Sequence, residues 1–252
     1  MTQYENEVKK RDVMCCMNAG NQGCGRKWSR MRIITDTGTD ILDKEAKKLG
    51  IELVAIRSNF TDTVFSENTE AEFTRFYDKL RQTDTLPVSS QPSPAEFLEL
   101  FEDAKEKQEE VVVITISSKL SGTYNGAMLA KDMAEYDNIY VVDSLQASLS
   151  ERLLVEYAVK LRDAGMGAKE LVRKLEQDRE RVILTGVPST LLYLKMGGRI
   201  SPVVAAVGGV IGIKPVLWLK DGVIESRSKA RGMRMAKSGM QSFLKDYEAD
   251  PA

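Results

Sequence analysis

Val111-Val112-Val113-Ile114-Thr115-Ile116-Ser117-Ser118-Lys119-Leu120-Ser121-Gly122-Thr123-Tyr124 is the stretch that decides the fold. Its first half is a pure β run. Its second half is a hydroxyl-rich loop, after which Tyr124, Ala127, Met128 and Leu129, then Met133 and Ala134, recur at helical spacing. The stretch therefore reads as the strand–loop–helix junction of an α/β unit. Backbone N–H groups at such a junction have no intrahelical partner and point at whatever sits in the loop. Ser121 and Thr123 add hydroxyls, and Gly122 lets a ligand approach the backbone closely. The chemistry on offer is the binding of an anion, a carboxylate or a phosphate. The bland account of the same residues is a plain N-cap. A second hydroxyl-rich junction, Pro87-Val88-Ser89-Ser90-Gln91-Pro92-Ser93-Pro94, favours a ligand. It precedes another helix, carrying Phe97, Leu98, Phe101 and Ala104. Ligands in open α/β sheets lie beyond the carboxyl ends of the strands, so two hydroxyl loops on that rim could hold one carboxylate from both sides.

The same alternation runs outward in both directions. Ile33–Thr35 predicts a short strand ending in Asp36-Thr37-Gly38-Thr39-Asp40, and Ile41, Leu42, Ala46 and Leu49 face inward from a helix. Ile51–Ile56 reads as a strand, Phe73, Phe76, Tyr77 and Leu80 as a helix, and Ile139–Val142 as a strand ending at Asp143-Ser144. A long helix carries Leu153, Leu154, Tyr157, Ala158 and Leu161, and a shorter one Leu171, Val172 and Leu175. Strands alternating with helices imply a parallel sheet covered on both faces, a three-layer α/β arrangement. After about Glu180 the texture changes. Val182–Thr185 predicts a strand, Thr190–Met196 a short helix closed by Gly197-Gly198, and Val203 to Ile213 a small-residue segment. Asp221-Gly222 signals a hairpin. The last helix places Met233, Ala236, Met240, Phe243, Leu244 and Tyr247 on one face. The expected division is an N-terminal extension over 1–30, polar and without period, a parallel-sheet unit over 31–179, and a second, smaller and partial mixed α/β unit over 180–252. Met31 is expected to be the natural first residue.

Composition narrows the function. At 252 residues the chain can bury a full core, and 36 basic against 37 acidic side chains argue against nucleic acid as the main partner. No run has the length of apolar sequence that spans a bilayer, so no stable membrane insertion is expected. Cys15, Cys16 and Cys24 are an odd number near one end; they imply no disulfide framework and point to a cytoplasmic home. The chain has no histidine, which excludes a Ser-His-Asp or Cys-His site built within it and removes the commonest metal ligand. No metal and no cofactor are expected.

Several motifs then coincide in order: Thr35-Asp36-Thr37, Ser89-Ser90-Gln91-Pro92-Ser93, Ser117 to Tyr124, Val142-Asp143-Ser144, Leu194-Lys195-Met196-Gly197-Gly198-Arg199-Ile200, and Lys214-Pro215-Val216-Leu217 before Asp221-Gly222. From Met31 onward this series closely resembles the DegV family of bacterial fatty-acid-binding proteins. The resemblance implies two units with a long-chain fatty acid, palmitate-like or oleate-like, in an apolar tunnel between them. It implies a carboxylate held by the hydroxyls of Ser89 and Ser121, with Gly122 and Thr123 completing the site. It also implies a carrier without a catalytic group of its own, which presents the carboxylate to a separate fatty-acid kinase in lipid metabolism, with Arg199 at the docking turn. Ser89 stands where the family usually has Thr, and the usual member continues past the end of this chain with a His-containing Gly-rich loop. Two other readings stay open. One is a Rossmann-like enzyme acting on a small phosphorylated substrate, with a phosphate on the Ser121 loop and Asp36 or Asp143 as acid/base or Mg2+ ligand. The other is a partner-dependent fragment with an exposed apolar face.

Overall fold

The computed structural model describes residues 31–83, 85–199 and 212–246. The N-terminal extension with its cysteines, Ile200, the small-residue segment from Val203 up to residue 211, and Tyr247 lie outside the described residues.

Four strands make the expected parallel sheet: β1 (Met31–Asp36), β2 (Glu52–Val54), β6 (Glu110–Thr115) and β7 (Ile139–Asp143), in the order β2-β1-β6-β7. Register pairs Ile33 with Val112 and Ile34 with Val113, and then Ile114 with Val142. Because successive side chains point to opposite faces, neighbours in register share a face and each face is a separate core. Ile33, Val112, Ile114 and Val142 pack with Ala46 of α1 (Asp43–Leu49), with Leu154, Val155 and Ala158 of α5 (Leu149–Asp163), and with Leu171 and Leu175 of α6 (Ala168–Asp178). On the other face Ile34, Val111, Val113 and Ile139 pack with Phe97, Phe101 and Ala104 of α3 (Pro94–Glu106) and with Ala127, Ala130 and Ala134 of α4 (Thr123–Ala134). Both faces are covered, which is why the central strands read as continuous apolar runs rather than as an alternation.

Helical spacing found the right helices but not always the right face. Leu129, Met133 and Leu153 are more than half exposed, while small alanines fill the buried stripe of α4. Small residues let that helix lie close to the sheet, so side-chain size is a poor guide to orientation there.

The expected strand Ile51–Ile56 is broken. Its first half joins the parallel sheet as β2; the chain then bends and Arg57–Asn59 (β3) enters a separate antiparallel sheet with β4 (Val64–Phe65) and β5 (Val88–Ser90), in the order β4-β3-β5. The bend is held from β1's end: Ile56 N–H donates to Thr37 Oγ1 at 2.9 Å. Helix α2 (Glu70–Gln82) packs on this small sheet through Phe76, whose ring meets Phe60 and Phe65 edge-on at 5.8 and 5.5 Å. Ser89 therefore sits on a strand, paired with Ser58, and not in a free loop.

A third sheet runs β10-β9-β8, antiparallel, from β8 (Thr185–Gly186), β9 (Ile213–Lys220) and β10 (Val223–Arg231). The strand expected at Val182–Thr185 is shifted toward the C-terminus, to Thr185–Gly186, where Thr185 pairs with Trp218 and Gly186 with Leu217 of β9. Helix α7 (Leu192–Met196) precedes this sheet's long hairpin, and α8 (Met233–Asp246) packs on it, with Phe243 edge-on to Trp218 at 5.5 Å. The hairpin turn is the predicted Asp221-Gly222, with φ of 49° and 81°, the double positive φ of a type I′ turn. Its tip docks on the Ser117 loop. Ser117 Oγ–H donates to the Gly222 carbonyl at 2.7 Å, and a Cβ on Gly222 would fall 2.5 Å from that Oγ. Glycine is thus required there twice, by φ and by space.

Candidate functional site

The carboxyl ends of β1, β6 and β7 carry Asp36, Thr115 and Asp143, and the loops leaving them are laced by side chain–backbone bonds. Asp36 is fully buried; Oδ2 accepts from Ile116 N–H and Oδ1 from Gly38 N–H, each at 2.8 Å. Asp143 Oδ1 accepts from Ser118 N–H and Leu145 N–H, each at 3.1 Å. Both aspartates are turn-closers: they fix the rim, Asp36 with both carboxyl oxygens and Asp143 with Oδ1.

Fixing the rim positions the two hydroxyl loops. In the first, Leu120 and Ser121 N–H donate to the Ser117 carbonyl, which curls the loop back. Ser121 Oγ then lies 2.8 Å from Thr123 Oγ1 and accepts from Thr123 N–H at 3.3 Å. Thr123 is fully buried behind Ser121, so it orients that hydroxyl rather than facing open space. In the second loop, Ser93 caps α3 in a reciprocal capping box with Glu96, with Pro94 in its first turn. Glu96 also takes a two-pronged bond from Arg57 at 2.6 and 3.1 Å, and that guanidinium pulls its carboxyl down to about 2. Strand β3 thereby clamps the segment that carries Ser89 and Gln91.

The two loops meet across a cavity of about 330 Å³. Ser89, Gln91, Ser121, Gly122 and Arg199 line it together with the apolar Ile56, Ile116, Leu120, Leu194 and Ile224. A second opening of about 430 Å³ shares Leu120, Ser121, Gly122, Arg199 and Ile224, and adds Ser118 and Lys119. The sequence-derived residues Ser89, Ser121, Gly122 and Arg199 are brought together; Thr123 stands behind them. Arg199 is exposed and engaged with backbone: its guanidinium donates to the Leu120 carbonyl at 3.1 Å and to the Gly197 carbonyl. It ties the turn after α7 to the Ser121 loop. Gln91 belongs to the Ser-Ser-Gln-Pro stretch, where nothing local marks a glutamine as lining a cavity. Ile56, Ile116 and Ile224 gave no signal, because nothing in a short apolar run marks which residue faces a cavity.

Chemically the cavity offers hydroxyl and amide hydrogen bonds beside an apolar wall, the make-up of a site that fixes one polar end of a largely apolar ligand. Among the described residues no group of three or more Cys, Asp or Glu could hold a metal ion. Behind the rim lies an unusual acid. Glu151 is fully buried, neither carboxyl oxygen finds a hydrogen-bond partner among the described groups, and its Oε2 faces Gly38 beside Asp36 Oδ1. Burial, then the charges of Asp36, Asp40 and Asp143, push Glu151 well above the usual carboxylate range. Burial also pushes Asp36 up to about 7, against its two backbone donors.

The family described as "Uncharacterised protein, DegV family" matches residues 30–252. A DegV domain-containing protein of Caldanaerobacter subterraneus subsp. tengcongensis is 31% identical over 221 residues, 88% of this chain and 79% of its own. Among solved structures, a fatty-acid-binding DegV family protein from Thermus thermophilus superposes with a TM-score of 0.78 at 30% identity, covering 88% of this chain and 79% of its own. A stearic acid-binding protein from Eubacterium ventriosum reaches 0.78 at 28% identity, covering 86% and 76%. Among the described residues no helix is long and apolar enough to cross a membrane.

Proposed function

We propose, from the premise that this chain belongs to the DegV family, that it binds a long-chain fatty acid and has no catalytic group of its own. The observation that carries the reading is the cavity that Ser89 and Ser121, 32 positions apart in sequence, line together with isoleucine and leucine side chains. In this reading Ser89 and Ser121 donate to the carboxylate, Gly122 gives it access to the backbone, and Thr123 holds the Ser121 hydroxyl in place. The apolar chain supplies most of the affinity, at about 0.8 kcal/mol per buried CH2, and the hydroxyls fix which end is which. The fatty acid lies between the unit over 31–179 and the unit over 180–252.

The same proposal includes presentation of the carboxylate to a separate fatty-acid kinase, with the exposed turn at Arg199 on the docking side, and residence in the cytoplasm. An odd set of cysteines without a disulfide framework supports the latter. The enzyme reading is disfavoured by Asp36 spending both carboxyl oxygens, and Asp143 its Oδ1, on backbone N–H groups.

Native mass spectrometry of the purified protein, followed by denaturing extraction, tests the proposal. A co-purifying fatty acid, or uptake of added palmitate at one equivalent, is expected. Protein that carries no lipid and takes up neither palmitate nor oleate would overturn it.

A further inference from the structure

Ser117 lies just past β6, is fully buried, and lines neither of the two cavities beside Ser121. Every polar atom it has is bonded. Its N–H donates to the Gln146 carbonyl at 2.8 Å, and its carbonyl accepts from Leu120 N–H at 3.0 Å and from Ser121 N–H at 3.1 Å. Its Oγ accepts from Lys119 N–H at 3.2 Å, and its Oγ–H donates at 2.7 Å to the Gly222 carbonyl, 105 positions away. One residue thus joins three segments: the loop between β7 and α5, the loop that carries Ser121, and the tip of the β9–β10 hairpin.

The contact with the hairpin is close-packed. A Cβ added to Gly222 would fall 2.5 Å from Ser117 Oγ, 3.0 Å from Leu145 Cδ2 and 3.2 Å from Lys119 Cγ. Packing at that density transmits a displacement rather than absorbing it. On the hairpin side, Val223 and Ile224 follow the tip and line the openings around Ser121. On the other side, the bonds of Ser117 to Lys119, Leu120 and Ser121 hold the curl of the loop. The curl matters because Ser121 brings only its hydroxyl to a ligand, its N–H being spent on the Ser117 carbonyl. Arg199 ties the same loop to the second unit through the Leu120 carbonyl, but in an exposed position. The bond from Ser117 is buried, and a buried hydrogen bond is electrostatically the stronger.

We infer that Ser117 is a positioning residue of the fatty-acid site: its buried bond to Gly222 seats the hairpin against the Ser121 loop and so fixes the aim of the Ser121 hydroxyl at the carboxylate. The inference rests on the fatty-acid reading above.

The test is a double-mutant cycle on the full chain with palmitate as the probe: wild type, Ser117→Ala, Ser121→Ala and the double variant. Ser117→Ala should bind palmitate at least about fivefold more weakly than wild type. Added to Ser121→Ala, the same change should cost less than about twofold, because a residue that acts through another is not additive with it. Equal losses in the two backgrounds would mark a merely structural role and overturn the inference. Unchanged binding by Ser117→Ala would overturn it as well. Thermal midpoints report that each variant is folded. If Ser117→Ala fails to fold, Gly222→Ala presses on the same contact from the hairpin side, and its cycle with Ser121→Ala is read by the same two criteria. Wild-type protein that takes up no palmitate overturns the fatty-acid reading instead, so the two failures are told apart.

Discussion

Replacing Glu151 by leucine should make the protein more stable, and increasingly so as the pH rises. Glu151 is fully buried, and both of its carboxyl oxygens lack a hydrogen-bond partner among the described groups. Burying such a group unsatisfied costs about 1–3 kcal/mol, and leucine of similar volume removes that cost. The pH term adds to it. Glu151 sits well above its ordinary value because burial and the nearby Asp36, Asp40 and Asp143 all oppose its ionisation. A carboxyl whose folded-state pKa is raised favours the folded state below the unfolded value, near 4.5, and that advantage is lost as pH climbs toward the folded value. Asp36, raised from 3.8 to about 7, behaves in the same way, and alone accounts for about 4 kcal/mol of falling stability between pH 4 and 7. Wild type should therefore lose stability steadily from about pH 4 upward. Glu151→Leu should flatten that slope and gain at least about 2 kcal/mol at pH 8, roughly 4–8 °C in thermal midpoint for a chain of this size. Urea and thermal unfolding of both proteins at pH 5 and pH 8 would measure it. A variant less stable than wild type at pH 8, or one with an unchanged pH slope, would refute the reasoning. Either result would mean that the carboxyl is satisfied and ionised after all.

Ser121→Ala should weaken palmitate binding by about 1–3 kcal/mol, through loss of a charge-assisted hydrogen bond, with little effect on stability; isothermal titration would read the difference. Gly122→Ala should fold normally, since its φ is ordinary, but displace the Gln91 amide, whose Oε1 would lie 1.9 Å from the new Cβ, and so disturb the cavity and lower palmitate affinity; a crystal structure with Gln91 undisturbed would contradict this. Gly222→Ala combines a φ of 81° with a Cβ 2.5 Å from Ser117 Oγ, so a loss of at least about 2 kcal/mol is expected in unfolding experiments. Glu96→Gln removes the negative charge that Arg57 grips with two bonds and leaves one amide oxygen to serve both Arg57 and the capping box. It should cost about 1–2 kcal/mol at pH 7, and because the wild-type carboxyl titrates near 2, that difference should persist down to about pH 4 and fade only in stronger acid.

Much of the architecture was written locally. The run Val111–Ile116 could be little else than a strand buried on both faces, and Asp221-Gly222 could hardly avoid a hairpin turn, because both follow from steric rules acting over a few residues. Ser121 and Ser89 were legible as site candidates for the same reason: hydroxyls at strand–helix junctions leave a short-range pattern. Tertiary structure decided the rest. Whether Ile51–Ile56 stayed one strand depended on Thr37 Oγ1 taking the Ile56 N–H, a contact across 19 positions. Which face of α4 is buried depended on how closely a helix of alanines could approach the sheet, so the large Leu129 and Met133 were left outside. The crowding at Gly122 came from a glutamine 31 positions earlier, and Glu151 acquired its shifted proton affinity from burial first, and then from the Asp36, Asp40 and Asp143 that folding brought near it. Backbone preference is set by nearest neighbours and survives in the sequence. Close approach and proton affinity are set by whatever the chain brings from far away, and they exist only once it has folded.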